Sequence, residues 1–504
     1  MQPVSDLVAD LPPSERLTRA DARALADAFT EYHAHFAPLF ARREQRQWAD
    51  VYLRGLLGAE VPRKNVEAMA VRLLGAGPGA ERRVRAVQQF IGEGAWDDAP
   101  ILAEHQRLVE QTLGEDDGVL ILDGSDFPKQ GTHSVGVAPQ WCGATGKKDN
   151  CQAGVFLAYA SRRGATLLDR RLYLPDAWFS AAYRARWEAC RIPAGTLFRT
   201  KHELAAELVE ALRAGQRLRA RWVVCDEGYG DSPALLDRLA ATGLWYLAEV
   251  PCDTQVWPLA EADGQTRRPQ PQRWVPAQTA SRKGPVPRRP RLHPQRPAKV
   301  RVDAIAQQWP AGAWQRYRLL DGAKGPLVAD LLALRVVSGR DKLPGPEVWL
   351  VIRRKVSGPT AAPEWKYYLS NAPPPTPLEA FARVSGMRWP IETCFEDAKG
   401  DLGMDQYELR FWRGWHHHMT LVLLAHHFLV RWQRRLAQRD PREGAVAHQP
   451  DTGSADPRSP RPGDPSAADR LERVSSASAA RGRLATADAR HPSGARVDRL
   501  SATP

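Results

Sequence analysis

Two short stretches of this sequence end alike. "LILD" closes an apolar run at Asp123, and "VVCD" closes another at Asp226. A third stretch, "RWPIETCFEDAKG", runs from Arg388 to Gly400 and carries Glu392 and Glu396 four residues apart. A carboxylate that ends a buried strand sits at the rim of a sheet, where α/β sites form. Burying it is costly unless it meets a cation. Two such aspartates on neighbouring strands would converge on a hard divalent ion, and a carboxylate from a helix lying on the sheet would complete an all-oxygen site. Glu392 is the candidate for that third place. The chemistry such a set suits is phosphodiester cleavage. Two divalent ions about 3.5–4 Å apart activate a water and stabilise the leaving oxygen, without a histidine base.

Each acid also has a plainer reading. Asp123 competes with Asp126 in "DGSDFPK", where either could be a turn residue. Asp226 competes with Asp231 in "DEGYGDS", where Asp231 could cap a helix starting near Pro233. In the third stretch Ile391, Phe395, Ala398 and Leu402 recur at helical period and form an apolar stripe. Glu392, Glu396 and Lys399 form a charged stripe beside it, the pattern of a solvated helix face. Pro390 suits the first helical turn, so Arg388 precedes the helix and Glu392 projects from its start. Glu396 reads as a supporting or solvent-facing charge.

The elements that must position these acids follow from texture. Residues 1–115 read as helical, with a basic cluster at Arg42, Arg43 and Arg46. Residues 116–250 give β-rich stretches, then strand–helix–strand units around "RWVVCD" and "LWYLAEV", the signature of a mixed α/β sheet. Residues 251–376 lose that rhythm. They hold a Pro- and Arg-rich segment, expected to be a mobile basic loop, and then alternating antiparallel-type strands. Helices resume over 377–436. "MTLVLLAHHFLV" there is too short for a membrane span and reads as a buried core helix. Residues 437–504 contain no Phe, Trp or Tyr and read as a disordered tail, or as the product of a frameshift.

The chain of 504 residues carries 71 Lys+Arg against 58 Asp+Glu, a net charge of +13. That excess favours a polyanionic partner, although a high-GC coding bias would also load a chain with arginine. The six cysteines are scattered without a C-x-x-C pair, so neither a zinc ribbon nor a disulfide framework is indicated, which fits a reducing, cytosolic setting.

Several long motifs in order resemble those of DDE transposases of bacterial insertion sequences, in the branch with a Tyr-Arg-Glu-Lys signature. They are "LDGSDFPKQGTHSVGVAPQWCGATGKKDNCQ", "VVCDEGYGDS", "RYRLLDGAKGPL", "YYLSNAP" and "RWPIETCFEDAKGDLGMDQYELRFWRGWHHHMTL". The resemblance implies a ribonuclease H-like mixed-sheet catalytic core, with an N-terminal helical DNA-binding domain and a β-rich insertion. By position it implies Asp123, Asp226 and Glu392 as catalytic metal ligands, and Arg388 and Lys399 as phosphate contacts. It implies two Mg²⁺ ions, which Mn²⁺ replaces, and cut-and-paste transposition through a hairpin intermediate. The partners it implies are double-stranded terminal inverted repeats and target DNA, bound by a homodimer, with no membrane and a cytoplasmic, nucleoid-associated location. The signature tyrosine position holds Ser385. Two rivals remain: a stand-alone metal-dependent nuclease on the same core, and a decayed, non-catalytic DNA-binding relic. Tyr229, Trp257, Trp309 and Trp314 are possible base-stacking residues or core aromatics. His416, His417 and His418 lack neighbouring ligands at metal spacing and read as solvated or DNA-facing.

Overall fold

The computed structural model describes residues 19–58, 61, 63–259, 298–322, 325–340, 343–355 and 363–439. The Pro- and Arg-rich segment and almost all of the aromatic-free tail lie outside them.

Among the described residues five α-helices come first: α1 (Arg19–Phe36), α2 (Arg43–Leu57), α3 (Val66–Leu74), α4 (Ala80–Gly92) and α5 (Ala99–Leu113). Each turns apolar residues inward, among them Tyr32, Tyr52, Met69, Phe90 and Ile101. The chain then enters β1 (Val119–Pro128), β2 (Ala138–Cys142), β3 (Lys147–Ser161) and β4 (Gly164–Tyr173). α6 (Arg184–Ala189) and α7 (Lys201–Gly215) follow, then β5 (Trp222–Cys225), the single-turn α8 (Glu227–Gly230), α9 (Pro233–Ala241) and β6 (Trp245–Val250). β7 (Gln255–Pro258), β8 (Val300–Arg301), α10 (Val302–Gln308), β9 (Gln315–Gly322), β10 (Gly325–Arg340), β11 (Leu343–Lys355) and β12 (Glu364–Ser370) make up the β-rich stretch. α11 (Leu378–Gly386), α12 (Pro390–Gly400) and α13 (Trp412–Arg439) end the described chain.

The strands form a 12-stranded mixed sheet in the order β2-β3-β1-β5-β6-β12-β11-β10-β7-β8, with β4 on β3 and β9 on β10. β1 pairs antiparallel with β3 and parallel with β5, and β5 pairs parallel with β6. The four antiparallel strands β1–β4, followed by the parallel β5 and β6, make the core α/β and ribonuclease H-like. The β-rich stretch does not form a sheet apart. β12 pairs with β6, so its strands extend the same sheet.

Side-chain parity divides the sheet between two cores. Val119 and Ile121 of β1, Trp222 and Val224 of β5 and Leu247 of β6 face the core that contains α11, α12, α13 and the N-terminal helices. Leu120, Leu122, Val223, Cys225, Tyr246 and Ala248 face the opposite core, with α7, α9 and α10. Burial on both sides explains why "VLIL" and "WVVC" read as unbroken apolar runs.

The structure corrects three expectations. β1 does not stop at Asp123 but continues to Pro128, since only its pairing with β5 ends at Leu122. Asp231 does not cap α9; the Ser232 hydroxyl accepts from the Leu235 N–H. The three histidines of "WHHHM" are not solvated. They lie in α13, with His417 and His418 buried and His417 stacked 3.5 Å above Trp96. "MTLVLLAHHFLV" is a core helix segment, fully buried from Met419 to Ala425. Among the described residues no helix is long and apolar enough to cross a membrane.

Candidate active site

Parity selects among the acids. On β1, residues 119 and 121 face the α11–α13 core, so Asp123 faces it too, whereas Asp126 falls on the opposite face. Asp126 instead accepts from the Gly143 N–H at 2.7 Å, which ties β1 to the turn after β2. On β5, Trp222 and Val224 share the face of Asp123, and Asp226 follows in phase. The register Leu122↔Cys225 makes Asp123 and Asp226 the next pair of neighbours.

Both backbones are locally fixed. The Asp123 carboxylate accepts from its neighbour's Gly124 N–H at 2.7 Å. Asp226 is extended and caps α8, accepting from the Tyr229 N–H at 3.2 Å. α8 lies so close to β6 that a Cβ on Gly230 would stand 1.9 Å from the Glu249 carbonyl oxygen. Glycine at that position therefore allows the turn after Asp226 to dock on the sheet.

Glu392 arrives from α12. Ile391, Phe395, Ala398 and Leu402 are buried as the apolar stripe requires, which presses α12 on the sheet and fixes its rotation. Arg388, just before the helix, joins the acids. Its Nη2 lies 2.8 Å from Glu392 Oε1, Nη1 3.8 Å from Asp123 Oδ2 and Nε 3.9 Å from Glu249 Oε2. Burial disfavours its charge, but Glu392, Asp123 and Glu249 outweigh that and hold the guanidinium more firmly protonated than usual. Glu249 is a member that sequence reading missed. It lies in β6 on the same face and pairs with Lys366 of β12 at 2.7 Å. The phase of "LWYLAEV" beside β5 was the signal for it.

Asp123 records the crowding. Burial and the adjacent Asp226 push its carboxyl up to about 7, against the pull of the Gly124 N–H and Arg388, with Glu392 adding repulsion. The all-oxygen donors suit a hard divalent cation, and the repulsion between them is what such a cation would relieve. Among the described residues, however, no group of three or more His, Cys, Asp or Glu side chains is arranged to hold a metal ion. Glu392 is engaged with Arg388 instead.

Lys399 stands two turns beyond Glu392, half-buried, with Nζ 5.6 Å from the Phe127 ring centroid and 6.0 Å from that of Phe395. Burial depresses its pKa, against the pull of Asp405, Asp126 and Asp123. Glu396 is exposed. Ser385 is buried in α11, its hydroxyl donating to the Ala382 carbonyl at 2.8 Å. Tyr229 and Trp257 are buried, and Trp314 packs edge-on against Trp365, so these three serve the cores. Trp389, between Arg388 and Pro390, is 60% exposed.

No curated protein matches the chain. A family model described as DDE superfamily endonuclease matches residues 35–326, more than half of the 504, and takes in Asp123 and Asp226 while ending before Glu392. The chain belongs to the DDE superfamily endonuclease family.

Proposed function

We propose that the protein is a DNA transposase of an insertion sequence, in the branch with the Tyr-Arg-Glu-Lys signature. In this reading it binds terminal inverted repeats as a homodimer, cleaves the element's ends and joins them to target DNA. The observation that carries the reading is the placement of Asp123 and Asp226 side by side on one sheet face, with Glu392 linked to Asp123 through Arg388.

Asp123, Asp226 and Glu392 would hold divalent cations, Mg²⁺ by donor chemistry, with Mn²⁺ as a substitute. When bound, such ions activate water and stabilise the leaving oxygen of the phosphodiester. The protein's own groups do the rest. The Asp226 cap on α8 fixes one carboxylate, and the Gly124 N–H fixes another. Arg388, released from Glu392, presents its fork to a phosphate oxygen and stabilises charge that grows in the transition state. Lys399, held among aromatic rings on the same helix, supplies a second cation for the strand.

The test is cleavage of a supercoiled plasmid bearing the element's ends, in Mg²⁺. Asp226→Asn should abolish nicking while leaving DNA binding intact. Undiminished nicking would overturn the site. Nicking by the wild type without joined products would favour a plain nuclease, and binding without nicking a non-catalytic relic.

A further inference from the structure

Away from the carboxylates, a cavity of about 680 Å³ opens between α1, α5, α13 and the β3–β4 turn. Its charged lining is four arginines, Arg163, Arg431, Arg434 and Arg435, against a single acid, Glu31. Phe428 and Trp432 supply apolar wall.

Three of these arginines, Arg431, Arg434 and Arg435, differ from many of the described arginines, whereas Arg163 lies 3.6 Å from Glu115. Elsewhere Arg170, Arg191, Arg199, Arg219, Arg238 and Arg340 each sit against a carboxylate. Among the described residues no carboxylate forms an ion pair with Arg431, Arg434 or Arg435. Arg434 donates to the Arg163 carbonyl, which brings two of the cations together. Arg431 lies over the Tyr32 ring at 5.3 Å and Arg435 over the Trp432 ring at 5.9 Å, so both guanidiniums are laid against apolar surface. Burial and the neighbouring Arg163 work against the charge on Arg434, and Glu115 only partly offsets them. The negative end of a helix accounts for cations in the last turn of α13. It does not account for Arg431, two turns from the end, or for Arg163 on another element.

We propose that this cavity is a second polyanion site, binding the phosphate backbone of double-stranded DNA apart from the catalytic carboxylates. Several arginines at the spacing of one helix, stacked on aromatic faces, suit phosphate oxygens better than any single small anion. The site lies on the side of the sheet that Asp123 faces but is displaced from the carboxylates along the strands. The β3–β4 turn follows Ser161, five residues from Phe156, the register partner of Asp123. That is about 17 Å along the strand. A duplex held here is therefore a different segment from the one at Asp123, either farther along the same DNA or a second DNA. This rests on the reading of the protein as a DNA-processing enzyme, but its test reads binding alone, so it can fail without that reading failing.

The experiment is fluorescence anisotropy of a labelled duplex across a salt series, with the full chain in chelator so that no cleavage occurs. Arg431→Ala/Arg434→Ala/Arg435→Ala should weaken binding on the order of tenfold and reduce the slope of log K against log salt by about 2.7, if each arginine neutralises one phosphate. The triple lysine variant should retain most of the affinity. Arg435→Glu, at an exposed side chain, guards against misfolding of the triple variant and should weaken binding by itself. An unchanged affinity and slope in both the triple variant and Arg435→Glu would overturn the proposal. Inorganic phosphate that binds the wild type and not the triple variant, while duplex affinity is the same in both, would also overturn it, by assigning the cavity to free phosphate.

Discussion

The guanidinium of Arg388 lies 2.8 Å from the carboxylate of Glu392, four residues along, while a second nitrogen reaches to 3.8 Å from Asp123. One arginine thus neutralises the acids from the sheet and the acid from the helix together. It stands where a divalent cation would do the same work, and Glu392 cannot serve both partners fully.

Removing that arginine should separate metal affinity from turnover. Arg388→Ala frees Glu392 and deletes a competing positive charge, so Mg²⁺ should bind several-fold more tightly by titration calorimetry. Cleavage should nevertheless slow by about 10²-fold, because a donor to the developing charge is lost. A fall in both quantities would mean that Arg388 instead organises the ligands.

The raised pKa of Asp123 predicts how the site strains the fold. Its folded value, about 7, stands above the ordinary 3.8. A carboxyl raised in this way binds its proton more tightly in the folded state. Its contribution is complete in acid and is lost as pH rises from about 4 through 7. In chelator at pH 8, Asp123→Asn should therefore be more stable than the wild type, by up to about 4 kcal/mol, with the gap closing near pH 4. Thermal melts across that range check it, and a gap independent of pH would refute the crowded pair.

What the sequence revealed of this site, and what it hid, has a physical basis. The apolar runs ending at Asp123 and Asp226 announced buried strands, and the stripe Ile391, Phe395, Ala398, Leu402 announced how α12 would lie. The choice of Asp123 over Asp126 needed the sheet, because it depends on which face the even and odd residues of β1 meet. Glu249 stayed hidden for a related reason. An acid inside a strand looks like a solvent-facing residue until a neighbouring strand, β12, supplies Lys366. The histidines of α13 misled because histidine reads as polar, and the partners that bury it, such as Tyr52 of α2 and Trp96 of the α4–α5 loop, come from more than three hundred residues earlier.

The histidines of α13, with His105 of α5, predict acid lability of the opposite sign. Burial holds His105, His417 and His426 near 4 and His416 and His418 near 3, below the ordinary 6.5. The unfolded chain takes up protons that the folded chain refuses, so their stabilising effect is full above about 6.5 and is lost as pH falls toward 3–4. Each adds roughly 1.4 kcal/mol per pH unit in that window. Circular-dichroism melts should show a steep loss of stability below pH 6. His418→Gln, which keeps polar contact with Tyr52, should flatten it. An equal slope in that variant would place acid lability elsewhere.

Gly230 tests the support behind Asp226. Any Cβ there meets the Glu249 backbone, which cannot swing aside as a side chain would. Gly230→Ala should force α8 off β6, costing about 3 kcal/mol. It should also slow cleavage, because the cap that aims Asp226 moves with the helix. Wild-type melting and cleavage together would show that the loop yields freely.

Ser385 gives the sharpest contrast between resemblance and structure. The signature that the sequence resembles has a tyrosine at this position, and under the proposed function placing one there would be the natural route to higher activity. Yet the Ser385 side chain is only 5% exposed, bonded to Ala382, and its carbonyl accepts from Arg353 at 3.0 Å. A phenol has no room there unless α11 shifts. Overpacking of this kind costs typically 1–3 kcal/mol, and a displaced α11 would disturb the approach to Arg388 three residues on. Ser385→Tyr should therefore lower the melting temperature and leave plasmid cleavage unchanged or reduced. A variant that melts as the wild type does and cleaves faster would show that α11 can open the position to the DNA side.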